Sequence, residues 1–170
     1  SNSDIADIAA KSQLISNCAE TGSMDDNWAS LEPGWKLVDP TLSASESIIL
    51  QGGIDSNLSI LVLLRGKRTV EISAEAFSQH EQIFERSLAS VMRGSILDAL
   101  SSNGMAVAAA TDDQEALRIC NLSIASGAIA AGISGSGPSI AIVCFQEDSA
   151  SLSRLFSESG LEVISTGIYL

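Results

Sequence analysis

The chain has 170 residues, 45% of them hydrophobic and only 4% aromatic, and it carries a formal net charge of −12. This size and apolar content are typical of a folded globular protein with an aliphatic core, and they argue against a disordered chain. The negative charge repels nucleic-acid phosphates and anionic lipid headgroups, so we expect neither a nucleic acid nor a membrane as a partner.

The first 57 residues contain only weak signals for regular structure. Residues 4–16 carry apolar side chains at helical spacing and predict a helix. A polar turn containing Gly22 follows, and residues 35–38 predict a short strand. The pattern of residues 42–56 indicates neither a helix nor a strand.

The signals become stronger from residue 58 onwards. The continuous apolar run at residues 58–64 predicts a buried strand, and an exposed basic loop follows it. Apolar spacing predicts a helix from Ala74 to about Gly94, and a second helix that we expect Asn103 and Gly104 to interrupt.

The last third of the chain alternates between helix and strand signals. Asp112 and Glu115 form a capping-box pattern that opens a third helix. An alanine-rich helix end at residues 130–131 is expected to lead through a glycine-rich loop into a strand at residues 140–145. A last helix and a strand at residues 161–168 complete an α+β layer structure.

The three cysteines, Cys18, Cys120 and Cys144, show no metal-binding spacing. An odd number of thiols in apolar surroundings is typical of reduced, buried cysteines. We therefore expect a cytoplasmic protein without disulfides.

The sharpest feature is the glycine-rich segment at residues 132–139, Gly-Ile-Ser-Gly-Ser-Gly-Pro-Ser. Glycine allows the backbone to approach a ligand or another segment closely, and it adopts positive φ without strain. The segment is neither a Walker A motif nor a dinucleotide fingerprint, because no Gly-Lys-Ser/Thr ends it and it leads into a strand. A tight helix-to-strand turn explains the glycines as well as a ligand-binding loop does.

Residues 132–139 closely resemble the third motif of the GHMP kinases, and above all that of archaeal-type shikimate kinases. In that family the loop lies beside the phosphate-binding loop and borders the active site. The resemblance implies that the loop helps to bind the cofactor ATP through Gly132, Ser134, Gly135, Ser136 and Gly137.

A second segment, residues 21–26, has the sequence Thr-Gly-Ser-Met-Asp-Asp. On their own, the two carboxylates suit a solvated surface. The segment is similar to one in shikimate kinases whose aspartate faces the acceptor hydroxyl, so the resemblance implies that Asp25 and Asp26 are catalytic. A carboxylate there can orient the hydroxyl and take its proton, although a role in a magnesium or lysine network is the alternative.

The run Arg-Gly-Lys-Arg at residues 65–68 places three cations within an otherwise acidic chain. Arg65 and Arg68 are candidates for binding the carboxylate of shikimate, because arginine pairs with carboxylates through two parallel hydrogen bonds. A solvated loop tip after a strand is the alternative interpretation.

The resemblance covers nearly the whole chain and implies the C-terminal part of a longer ATP- and Mg²⁺-dependent shikimate kinase of aromatic amino-acid biosynthesis. Residues 1–57 would be the tail of its N-terminal domain, and residues 58–170 a ferredoxin-like α/β sandwich. We expect this part alone to be inactive, because the Gly/Ser-rich phosphate loop of the family does not occur in it. Two alternatives stay open: another GHMP kinase, acting on homoserine, mevalonate or a sugar, and a non-catalytic ferredoxin-like ligand-binding module.

Overall fold

The structure is a computed structural model that describes residues 1–17, 24–68 and 73–168. These residues form two compact units, one within Ser1–Ser56 and the other comprising Asn57–Ile168. Among the helices of the described ranges, none is long and apolar enough to cross a lipid bilayer.

The first unit packs three helices against a two-stranded antiparallel sheet. The helices are α1 (Asn2–Ile15), α2 (Asp25–Leu31) and α3 (Ala44–Ser47), and the strands are β1 (Trp35–Val38) and β2 (Ile48–Gly52). The stretch without a clear sequence pattern thus supplies a short helix and the second strand. The predicted helix at the start of the chain and the predicted strand β1 are both present.

The core of the first unit is built around the indole of Trp28, which is 4% exposed. Its Nε1 atom donates a hydrogen bond of 3.4 Å to the hydroxyl of buried Ser47. The small side chains that surround it allow the helices to approach closely: Ala6, Ala10 and Ala44. Burial of Trp28 therefore anchors α2, the helix that begins with the two predicted catalytic carboxylates.

The second unit contains a four-stranded antiparallel sheet in the order β4-β5-β3-β6. The strands are β3 (Leu58–Leu64), β4 (Ala130–Ile133), β5 (Ile140–Phe145) and β6 (Glu162–Gly167). With helices after β3 and after β5, this is the β-α-β-β-α-β arrangement of a ferredoxin-like fold. The predicted α+β, ferredoxin-like sandwich is confirmed.

In the described residues, four helices lie between β3 and β4, and one connects β5 to β6. They are α4 (Ala74–Ser78), α5 (Glu81–Met92), α6 (Ile96–Ala110), α7 (Gln114–Ala125) and α8 (Gln146–Glu158). Alternate residues of the central strands, such as Leu61 and Ile142, are fully buried and form one core with residues from α6, α7 and α8.

Three expectations about secondary structure were wrong. Residues 130–133 form an edge strand instead of a helix end, because all four are buried and pair in register with β5. The predicted helix from Ala74 is broken into α4 and α5 around Gln79 and His80. The side chain that caps α7 belongs to Asp113 and not to Asp112.

A fourth expectation, the interruption of α6 at Gly104, was also wrong, because the helix continues through it. Gly104 instead lies directly against Gly132 of β4, so that the two backbones touch. A Cβ atom added at Gly132 would lie 2.8 Å from the carbonyl oxygen of Leu100, and one added at Gly104 would lie 2.7 Å from the backbone nitrogen of Ile133. Glycine is needed here for close packing of a helix on a strand.

We predict that Gly104→Ala destabilises the chain. The substitution gains up to about 1 kcal/mol of helix propensity. The added methyl group overlaps strand backbone that cannot rotate away, and such overpacking costs about 1–3 kcal/mol. A net fall in the free energy of unfolding, measured by urea denaturation, is the expected result.

Gly167→Ala is the matched control, because Gly167 ends β6 in the same unit and a Cβ there would meet nothing within 4 Å. Equal unfolding free energies for the two variants would contradict the packing role of Gly104.

Candidate functional site

The glycine loop is the connection between β4 and β5, and it comprises residues 134–139. The N–H group of Ser134 donates to the carbonyl of Ser139, and that of Gly137 donates to the carbonyl of Ser134, both over 2.9 Å. Gly135 has φ +56° and Gly137 has φ +81°, and the peptide bond before Pro138 is cis. Both glycines thus have the left-handed backbone conformation that glycine adopts without strain.

Several hydrogen-bond donors of the loop remain available. Within the described part of the chain, the N–H groups of Gly135 and Ser136 and the hydroxyls of Ser134 and Ser136 have no protein acceptor. Backbone N–H groups that converge in a tight turn with positive φ are a common way to bind anions. Four of the five predicted cofactor-binding residues, Ser134, Gly135, Ser136 and Gly137, thus lie in one loop that presents donors. The fifth, Gly132, is buried in β4 and packs against Gly104.

Arg65 joins this loop to the start of α7. It follows β3 directly, and its Nη1 and Nη2 atoms donate to the two carboxylate oxygens of Asp113 over 2.7 and 2.8 Å. Nη1 also donates to the carbonyl of Pro138 over 3.2 Å. Three of the five guanidinium donors are thereby used inside the protein.

Asp113 binds Arg65 and caps α7 at the same time, since its Oδ1 atom accepts a bond of 2.9 Å from the N–H group of Ala116. The two side chains of the ion pair are only 14% and 19% exposed. The pKa of Asp113 lies below its usual range, mainly because Arg65 donates hydrogen bonds to its carboxylate. The bond from the N–H group of Ala116 lowers this pKa further, whereas burial acts in the opposite direction. Sequence analysis missed this residue because the capping pattern was assigned to its neighbour.

A cavity of about 390 Å³ opens between the end of β3, the connection from α6 to α7, and the glycine loop. Its volume lies in the usual range of small-molecule pockets, about 300–1,000 Å³. The residues lining it include Arg65, Lys67, Arg68, Asp112, Ser136 and Gly137.

The charged groups around this cavity differ in whether they are paired. Arg65 is bound to Asp113, and Glu115 is bound to Arg118 at 2.6 Å. Lys67 and Arg68 are exposed and make no ion pair with any described residue. The cavity therefore has two cations at its rim that are available to an anionic ligand.

Asp25 and Asp26 occupy the first turn of α2 in the first unit, so they belong to a helix and not to the expected turn. Both are exposed. Asp26 accepts a hydrogen bond of 3.1 Å from the side chain of Gln13 in α1. Residues 21–23 of the predicted motif lie outside the described residues. Among the described residues, no group of three or more histidine, cysteine, aspartate or glutamate side chains is arranged to hold a metal ion.

The sequence matches no protein-family profile. The fold of the chain is nevertheless similar to that of several solved structures. The mevalonate kinase of Methanococcus jannaschii is 12% identical with a TM-score of 0.63, and the match covers 100% of this chain and 57% of that one. A homoserine kinase from Cytophaga hutchinsonii is 16% identical with a TM-score of 0.50, covering 93% of this chain and 60% of that one.

A phosphotransferase related to the CoA biosynthesis pathway is 11% identical with a TM-score of 0.61, over 80% of this chain and 45% of that one. The chain has the α+β fold of GHMP kinase C-terminal domains. At these identities the likeness shows the fold alone. The chain spans 45–60% of the length of these three proteins.

We predict that Gly135→Val lowers the free energy of unfolding more than Gly135→Asn does. A Cβ at this position meets nothing within 4 Å, so the cost is set by the backbone conformation alone. A β-branched residue held at positive φ costs about 1–3 kcal/mol, whereas asparagine tolerates this region. Urea denaturation of both variants measures the difference, and equal stabilities would show that the loop relaxes to ordinary backbone geometry.

Proposed function

We propose that this chain is the C-terminal part of an ATP-dependent small-molecule kinase of the GHMP superfamily, with shikimate as the acceptor. One observation carries the proposal: a glycine loop borders a cavity with two exposed cations, on a fold shared with such kinases, and neither the loop's free donors nor the cations have a partner among the described residues. Phosphoryl transfer depends mainly on positioning and on stabilisation of negative charge, and these are the properties that the loop and the cations provide.

The loop is suited to bind anionic oxygens of ATP. The N–H groups of Gly135 and Ser136 and the hydroxyl of Ser134 donate to no described residue, so they can donate to phosphate. Mg²⁺ accompanies ATP and neutralises phosphate charge; it is usually held by one or two carboxylates besides the phosphates. The resemblance of residues 21–26 implies a catalytic role for Asp25 and Asp26, either in taking the proton of the acceptor hydroxyl or within a magnesium network.

The cations at the rim of the cavity favour an acceptor with an anionic group. We assign this contact to Arg68 together with Lys67, since Arg65, which the sequence also suggested, has fewer donors left. Shikimate, homoserine and mevalonate all carry a carboxylate, so this argument does not separate them. Shikimate is preferred for the likeness of residues 132–139, and homoserine and mevalonate are the second candidates because kinases for them share the fold.

A substrate panel tests the proposal. The full-length protein that contains this chain is supplied with ATP, Mg²⁺ and, in separate reactions, shikimate, homoserine or mevalonate, and the release of ADP is followed. Release that depends on shikimate is the expected result. Release with another acceptor would replace shikimate, and no release with any acceptor would overturn the kinase proposal.

We predict that Asp25→Asn lowers kcat of the full-length kinase. The amide retains size and polarity but cannot take a proton from the acceptor hydroxyl, and loss of such help costs about 10²–10⁴-fold. KM should change little, because the lost interaction acts mainly in the transition state. Asp26→Asn is the comparison variant, and we expect a smaller loss from it because the resemblance implies that Asp25 is the aspartate that faces the acceptor hydroxyl. A kcat for Asp25→Asn within threefold of the parent enzyme's would contradict the assignment.

We predict that Arg68→Ala raises KM for the acceptor while KM for ATP stays nearly constant. Loss of a charge-assisted hydrogen bond of about 1.5–3 kcal/mol corresponds to roughly a ten- to hundredfold change. Steady-state kinetics with each substrate varied in turn measures both constants. Arg118→Ala is the control, since its side chain is exposed and bound to Glu115. An unchanged KM for the acceptor would contradict the contact and would favour the alternative interpretation, in which Arg68 is a solvated surface residue.

A further inference from the structure

Within the described part of the chain, Arg65 makes the one hydrogen bond that connects the glycine loop to another segment. Among the hydrogen bonds of the described residues, the bond from Arg65 to the carbonyl of Pro138 is the only one that joins residues 134–139 to another part of the chain. The other two bonds of the loop are internal, between Ser134 and Ser139 and between Ser134 and Gly137. Internal bonds hold the shape of the loop, whereas this tie also holds its position.

The guanidinium group that makes this tie is itself fixed from the other side. Both carboxylate oxygens of Asp113 accept from it, which is the bidentate geometry that orients a planar guanidinium. Asp113 cannot swing freely, because it caps α7. The position of the start of α7 is thereby transmitted through two side chains to the loop.

We propose that Arg65 and Asp113 are a positioning pair that holds the glycine loop in the conformation in which its free donors face the ligand. This role rests on the proposed kinase function, and it differs from the acceptor contact that the basic run suggested for Arg65. The ion pair also gives the cations of residues 65–68 different roles. Because Asp113 neutralises Arg65, Lys67 and Arg68 are the cations of this segment that can bind an anionic ligand.

Hydrogen exchange of the 170-residue chain tests the positioning directly and needs no catalytic activity. The N–H groups of Ser134 and Gly137 are the reporters, because their acceptors lie inside the loop. In Arg65→Met we expect their exchange to accelerate by about tenfold or more, as in local opening, while the amides of β5 keep their parent rates. Arg118→Met is the control and should leave both reporters within about twofold.

Arg65→Lys and Asp113→Asn are two milder variants for the same exchange measurement, and they test the positioning role if Arg65→Met does not fold. Lysine keeps the charge but loses the paired hydrogen bonds, so the reporters should again accelerate. Asparagine is as good a helix cap as aspartate, so Asp113→Asn should spare α7 and still loosen the loop. Unchanged rates at Ser134 and Gly137 in the folded variants, or an equal rise in the β5 amides, would overturn the proposal.

Kinetics of the full-length kinase separates positioning from ligand contact. For Arg65→Lys we expect kcat to fall by about ten- to hundredfold, because small displacements of a positioning element are costly, with little change in KM for the acceptor. A large rise in that KM with unchanged kcat would identify Arg65 as an acceptor contact and contradict the proposal. If the parent protein shows no kinase activity, the kinase proposal fails while the exchange experiment still decides the role of the pair.

Discussion

Helix α6 crosses strand β4 with backbone against backbone, and the position of the glycine loop depends on this contact. Among the strands of the described residues, β4 is an edge strand that pairs only with β5. Its outer side is covered by α6, where the hydroxyl of Ser101 accepts a bond of 3.2 Å from the N–H group of Ala131 and Gly104 lies against Gly132. Covering the edge in this way satisfies a backbone donor that would otherwise face solvent. Two residues after Gly132 the loop begins, so a shift in the crossing would move the loop with it.

The electrostatic potential in the cavity depends on which of the few cations of this acidic chain are paired with carboxylates. A partly buried ion pair gains little net stability, because the loss of hydration offsets most of the attraction. The pair of Arg65 and Asp113 is therefore better understood as an anchor than as a source of stability. The exposed pair of Glu115 and Arg118 contributes little to stability, because water screens the attraction. Both pairs nevertheless neutralise carboxylates near the start of α7, which reduces the repulsion that an anion would meet beside Lys67.

Local patterns predicted the elements whose burial is strong and continuous. The apolar run of β3 and the run of β5 were assigned correctly, since a strand that is buried along its length leaves a plain sequence signal. The prediction for residues 130–133 was wrong because alanine favours helix locally, whereas pairing with β5 and burial on all sides determine the structure of this segment. The role of Gly104 and the bond between Arg65 and Asp113 depend on contacts between residues 28 and 48 positions apart, to which a local pattern is blind.

The pair of Arg65 and Asp113 is insensitive to pH near neutrality. The pKa of Asp113 is lowered in the folded chain, so the stability it contributes is present above its unfolded pKa and is lost only as the pH falls through the folded value, below about pH 4. Glu115 and Cys120 also interact with the charge of Arg65, and burial raises the pKa of the Cys120 thiol to about 11 despite the attraction of that charge. At neutral pH the thiol is therefore protonated and does not compete with Asp113 for the guanidinium. Any change in ligand binding between pH 6 and pH 8 must then arise from the ligand or from groups other than this pair.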